Sequence, residues 1–261
     1  MEIILNRSEF LALTALTQAQ NIIGLDAEHL LPPTLEARQA MYDEGEASLR
    51  QRDLLRVEPG GVVVLEETLL RNILVVAHPD NALVVIKTVP HVGQQLFLYY
   101  GKANLFIEQT LPTPHQHRLA DIGQEDELIA RLQAVFPLTS AVAGTSDDSP
   151  PLTMPQQTAI DVFQRATRGA VVEAQALLTS TLTTNSLLAD ALVADFANSI
   201  FSGTIAIYHG TDNGGVDTRE IALVQGPSSG WLILPDADDL TAVQLVRANT
   251  NALANYLATL L

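Results

Sequence analysis

The sequence predicts an α+β fold, with helices covering a central antiparallel sheet. Three observations lead there. Apolar and β-branched runs cluster at 82–122 and again at 204–234, with the alternation and flanking turns expected of strands. Segments with apolar residues at helical spacing precede and follow each cluster. A stretch rich in Gly, Ser, Asp and Pro, residues 140–155, reads as a linker between the two. The expected organisation is an N-terminal half, 1–139, a linker, 140–155, and a C-terminal half, 156–261, forming one compact unit with a pseudo-two-fold plan. Each half reads helices, then a β-meander, then one closing helix. A three-stranded meander is marginal alone, so the two are expected to join in one sheet.

In the first half a helix is expected near Ser8 to Gln18, with Ser8 as its cap. Thr34 caps a second helix running to Arg52, where Leu35, Ala37, Met41, Gly45 and Leu49 recur at helical spacing. Pro59-Gly60-Gly61 turns the chain into a short strand, Val62 to Val64, and a helix from Glu66 to Ala77 that Pro79-Asp80-Asn81 ends. Strands follow at Ala82–Val89, Gln95–Tyr100, Asn104–Thr110 and Arg118–Ile122, with a tight turn at Gly101-Lys102. The closing helix, Glu125 to Phe136, sets Leu128, Ile129, Leu132 and Val135 on one face.

The second half opens with helices at Gln156–Arg168 and Val171–Leu178. A third, Asn185 to Phe201, carries a wide stripe of Leu187, Leu188, Ala191, Leu192, Phe196 and Ile200. Strands are expected at Thr204–His209, Asp217–Gln225 and Gly230–Leu234, with Asn213-Gly214 as a hairpin turn. The last helix is expected from Asp238 to Leu261, its acidic first turn matching the helix dipole.

Composition narrows the function. The 261 residues carry a formal charge of −16, and both halves are acidic: 20 acidic and 10 basic residues precede position 151, 10 and 4 follow. Such a chain repels phosphate backbones and anionic lipid, which argues against nucleic-acid and membrane partners. There is no cysteine, so disulfides, zinc–thiolate sites and thiol nucleophiles are excluded. MEIILNRSEF lacks a basic region followed by a long apolar run, so no signal peptide is expected there. Nothing approaches the roughly 20 apolar residues of a membrane helix. A cytoplasmic location is expected. The mean hydropathy of +0.18 is high, although aromatics are only 5%. The surplus of aliphatic side chains fills a core, forms an exposed docking patch, or does both.

Reactive constellations are hard to find. His115 and His117 form a His-x-His pair that would share one face of a strand. Pro112 and Pro114 surround it, and no third ligand lies near, so no metal is assigned. Thr211 to Asp217, TDNGGVD, lacks the alternating acids and distal Glu of a calcium loop and reads as a turn. Gly60-Gly61 and Gly214-Gly215 make no phosphate loop, and no Gly-x-Ser-x-Gly elbow occurs. The Val62–Ala77 region is similar to a winged helix, yet Glu66 and Glu67 head its helix and only Arg71 follows, against a DNA-binding use. No catalytic residue and no cofactor are assigned, and the expectation is a protein that is not an enzyme.

Several local phrases carry a resemblance. Ala47-Ser48-Leu49-Arg50-Gln51-Arg52-Asp53-Leu54-Leu55 ends a helix and precedes Gly60-Gly61 and a helix closing on Val75-Val76-Ala77-His78-Pro79. The second half has Gly214-Gly215, Gly230-Trp231, Leu234-Pro235 and a final Leu-rich helix to Leu260-Leu261. In this order and layout the chain resembles the EspG-like, ESX (type VII) secretion-associated proteins of actinobacteria. The resemblance implies a pseudo-two-fold protein with a central antiparallel sheet. It also implies a cytosolic chaperone that binds a helical tip of a secreted partner through the sheet and the helices of the second half. No residue signature carries over. The hairpins here read short, a departure that bears on the contact geometry.

The residues themselves point to the same areas. Tyr99, Tyr100, Leu105 and Phe106 concentrate aromatics in an aromatic-poor chain. With Leu187, Leu188, Ala191, Phe196 and Trp231 they are the candidate partner-binding set, the type of apolar anchor that helix-in-groove recognition uses. For Leu98 and Tyr100 the competing reading is a side chain turned to the core. The expected function is a chaperone or adaptor for a helical secreted protein. The alternatives are a metal- or small-ligand-binding protein or enzyme built on His115 and His117, and a homodimer or larger assembly that uses the apolar surface itself.

Overall fold

The computed structural model describes residues 2–19, 21–25, 31–113, 115–139, 151–182, 186–211 and 215–261. Among them are eight helices and twelve strands. The first half runs β1 (Glu2–Asn6), α1 (Arg7–Leu16), α2 (Leu35–Gln51), β2 (Leu55–Val57), β3 (Val63–Leu65) and α3 (Glu67–Ala77). It continues with β4 (Asn81–Val89), β5 (Gly93–Lys102), β6 (Leu105–Thr113), β7 (Gln116–Gly123) and α4 (Glu125–Val135). Then come β8 (Leu152–Pro155), α5 (Gln156–Thr167), α6 (Val171–Thr181) and α7 (Ser186–Ala197). The chain ends with β9 (Phe201–Gly210), β10 (Val216–Gln225), β11 (Gly230–Pro235), β12 (Ala242–Ala248) and α8 (Thr250–Leu257). Ten strands form one antiparallel sheet in the order β1-β7-β6-β5-β4-β9-β10-β11-β12-β8; β2 and β3 pair separately. The α+β class expected from the sequence is the observed one.

The chain falls into two compact units. One comprises Met1–Val84, Leu96–Leu128 and Ile207–Thr218; the other Val85–Gln95, Ile129–Ala206 and Arg219–Leu261.

In the first unit, helix starts follow local hydrogen-bonding logic. Asn6 caps α1: its Oδ1 accepts from Glu9 N–H at 2.8 Å, and the Glu9 carboxylate accepts from Asn6 N–H at 2.8 Å, a reciprocal capping box. The expected cap, Ser8, lies inside the helix and is buried. Thr34 caps α2 as expected, accepting from Ala37 N–H. Glu66 caps α3; the N–H groups of Leu69 and Thr68 hold its carboxyl below the usual range. The β5–β6 turn is Ala103-Asn104, both at positive φ (48° and 64°), with Lys102 opposite Leu105. That is the backbone of a two-residue hairpin loop. The expected turn residues, Gly101 and Lys102, end β5 instead. Gly101 is needed because a Cβ there would sit 2.4 Å from the Phe106 ring. The core joins Leu5, Phe10, Leu13, Leu49, Leu69, Ile73, Leu98 and Ile107.

In the second unit two expectations are corrected. Leu152–Pro155, read as linker, is β8, with Val243 opposite Met154 and Leu245 opposite Leu152. Residues 140–150 lie outside the described set. The long last helix is instead a turn, a strand and a shorter helix. The Asp236 carboxylate accepts from the N–H of Asp238 and Asp239 at 2.9 and 3.1 Å, which bends the chain. Ala242–Ala248 then pairs between β11 and β8. Asn249 caps α8 through Ala252 N–H. Val243, Leu245 and Val246 fit either period in sequence; pairing on both edges decides for the strand. The expected turn Asn213-Gly214 lies outside the described residues, with Thr211 N–H donating to Gly215 O beside it.

Candidate partner-binding groove

On one sheet face of the second unit, α5, α6 and α7 share a core with Val224, Trp231, Val243 and Leu245. α5 turns Ala159, Val162 and Ala166 inward. Its next face carries Phe163, half-buried and edge-on to Phe196 at 5.3 Å, and Ile160, which is 40% exposed. That face forms the wall of a groove of about 600 Å³. Its floor comes from alternate residues of successive strands: Ile86 and Thr88 of β4, Ser202 and Thr204 of β9, Glu220, Ala222 and Val224 of β10, Ile233 of β11. The period-two pattern puts Phe201, Ile205 and Ile221, all buried, on the sheet positions between them. At Gly203 a Cβ would lie 2.4 Å from Ile86 O and 2.5 Å from the Phe136 ring, so only glycine fits between them.

The groove is mainly apolar, with Thr88, Ser202 and Thr204 adding hydroxyls to its floor. Gln94, Gln156 and Gln164 stand at the rim, and Glu220 is the one charged residue among those lining it. The bundle behind the wall is pinned by Asp195. Fully buried, it accepts from Trp231 Nε1–H and from Ser228 N–H, each at 2.9 Å. Arg247 lies over the indole, 5.3 Å from its ring.

Most of the residues picked from sequence are interior. Tyr99 and Tyr100 are buried in the first unit. The Tyr99 hydroxyl donates to Glu108, the Tyr100 hydroxyl to Ile23 O at 2.7 Å. Burial pushes the Tyr100 phenol far up. Phe106, Phe196 and Trp231 are buried as well. These five cannot form a contact surface in this conformation; apolar bulk in an aromatic-poor chain goes first to the core. Leu105, Leu188 and Ala191 are half-buried, and the Leu187 side chain lies outside the described residues. The groove residues Ile160, Phe163, Ile86 and Glu220 were missed. A signal exists for two of them: in α5 the apolar set Ala159, Ile160, Val162, Phe163 and Ala166 is wider than one buried stripe needs.

His115 and His117 do not converge. His115 is exposed at the β6–β7 turn, while His117 is buried, stacked on Phe10 at 4.0 Å and 5°. Its Nδ1 accepts from Gln109 Nε2 at 2.8 Å. Among the described residues no group of three His, Asp or Glu side chains could hold a metal, and no helix is long and apolar enough to cross a membrane. Burial, helped by the Arg7 charge, lowers the His117 pKa to about 4. The unfolded ring protonates near 6.5. Its neutral burial is therefore free of penalty above pH 6.5, and stability falls as pH drops from 6.5 to 4. At about 1.4 kcal/mol per pH unit the loss is about 3 kcal/mol. Urea unfolding at pH 7 and pH 4.5 should show His117→Leu losing roughly 2–3 kcal/mol less between the two than the native chain.

No family model matches this sequence, and no curated protein matches it. Among solved structures the chain is similar to the type VII secretion system chaperone EspG5 of Mycobacterium tuberculosis, determined in complex with a PE25–PPE41 dimer. The match covers 99% of this chain and 95% of that one, with a TM-score of 0.68 and 12% identity. This chain therefore has, over nearly its whole length, the fold of a type VII secretion chaperone.

Proposed function

We propose that this protein is a cytoplasmic, non-enzymatic chaperone that receives a helical segment of a secreted protein in the groove beside α5. One observation carries the reading: a mainly apolar groove, open among the described residues, between a helix and exposed sheet, on a fold matched end to end by a secretion chaperone. A half-exposed Ile160 and a half-buried Phe163 suit the apolar side chains of an amphipathic helix. The neighbour's complex with a PE25–PPE41 dimer supports a helical partner; the reading for this chain is a PE–PPE-type heterodimer of its own host.

The test is co-expression with such heterodimers, size-exclusion chromatography with light scattering, and calorimetry. One discrete complex is expected. Ile160→Arg puts a charge on the wall and should weaken binding at least 30-fold, about 2 kcal/mol, with an unchanged circular dichroism spectrum because the side chain is surface-facing. Absence of any complex, or undiminished binding by Ile160→Arg, overturns the reading. Displacement of the heterodimer by a second copy of the chain would reassign the groove to self-assembly.

A further inference from the structure

Building on the docking reading above, we infer that the segment entering the groove carries a lysine or arginine that pairs with Glu220. The groove lining contains eighteen residues and a single charge, the Glu220 carboxylate. Glu220 shares its strand face with Ala222 and Val224 and stands exposed at the groove mouth. Among the described residues no cation is paired with it, whereas Glu46, Glu9, Glu58, Asp121, Asp80, Glu2 and Glu173 are each held in an ion pair. Its neighbours on the groove floor, Ser202, Thr204 and Ala222, are small and supply no positive charge.

An apolar segment settling into the groove strips water from this carboxylate. A neutral segment leaves the charge partly desolvated and unmatched, which costs affinity. An acidic segment adds repulsion at close range, on top of the field of a chain at −16. A basic residue next to the apolar anchors removes both costs. Glu220 thus selects the sign of the partner, while Ile160, Phe163 and the floor select its shape.

The experiment uses the full chain and a displayed library of two-helix hairpins, with apolar residues fixed on one helix face and Lys, Gln or Glu allowed at flanking positions. Binders that Ile160→Arg fails to retain are scored as groove-dependent. Among them Lys should exceed Glu by about three- to fivefold at low salt, the range of an exposed ion pair. The preference should vanish with Glu220→Gln and reverse with Glu220→Lys. These variants alter the overall charge by only one or two, so a reversal reports the local carboxylate. Circular dichroism checks that each variant is folded. Equal use of Lys and Glu, or a preference that both variants leave intact, overturns the pairing while the docking reading stands. Recovery of no groove-dependent binder overturns the docking reading and the pairing with it.

Discussion

Replacing Gly45 with alanine should lower stability by about 3 kcal/mol, although in an ordinary helix interior the same change raises it by about 1 kcal/mol. Gly45 lies buried in α2, where that helix crosses α1. A Cβ would fall 2.0 Å from Ser8 O and 3.0 Å from the Ala12 side chain. The first atom is backbone and cannot turn aside, so the helices must separate. Separation also strains the bonds from Ser48 Oγ and Arg52 Nη1 to Glu9, both 2.7 Å. Overpacking against a rigid backbone atom takes the upper end of its range, about 3 kcal/mol, and a lost hydrogen bond adds about 1, which the propensity gain of about 1 offsets. Urea unfolding measures it; at about 2–4 °C per kcal/mol the melting temperature should fall by roughly 6–12 °C. A variant as stable as the native chain would mean that α1 and α2 do not meet at this glycine.

Asp195→Ala should cost about as much, for a different reason. It leaves the Trp231 Nε1–H in the interior without an acceptor and frees Ser228 N–H at the β10–β11 turn. An orphaned buried donor costs about 1–3 kcal/mol, and the space vacated adds to it, for about 3 kcal/mol altogether. Asp195→Asn keeps one acceptor but turns an N–H₂ toward the other donor, so it should fall near half that loss. Trp231 is the single tryptophan of the chain. Its emission therefore reports this site alone, and a red shift in folded Asp195→Ala would mark water reaching the indole. Unchanged emission with unchanged stability would show that the indole N–H finds another partner.

Much of the fold was legible because many of its elements declare themselves locally. Thr34, the 125–135 helix and the runs at 81–89, 105–113 and 216–225 follow capping and alternation rules that need no tertiary information. The failures sit where distant residues arbitrate. β1 and β8 are short edge strands that exist only through β7 and β12. β12 reads equally well as helix until both its neighbours are in place. Asn6 outcompetes Ser8 as a cap because Glu9 closes the reciprocal bond, a choice the spacing of Asn6 and Glu9 did offer. The groove was less legible than the fold. The sequence shows that Tyr99, Phe196 and Trp231 are large, and burial then claims them. Ile160 and Phe163 become a wall only because, among the described residues, helices cover part of a sheet face and leave the rest open, which no local pattern encodes.

The four-residue span of β8 has a further effect. It starts directly after Pro151 and its last residue is Pro155, and proline offers no N–H to an incoming strand. A margin this brief, closed by imino acids at both ends, gives a neighbouring molecule almost nothing to template on. Strand addition on that side is disfavoured by the backbone chemistry itself, with no charged residue needed on that border.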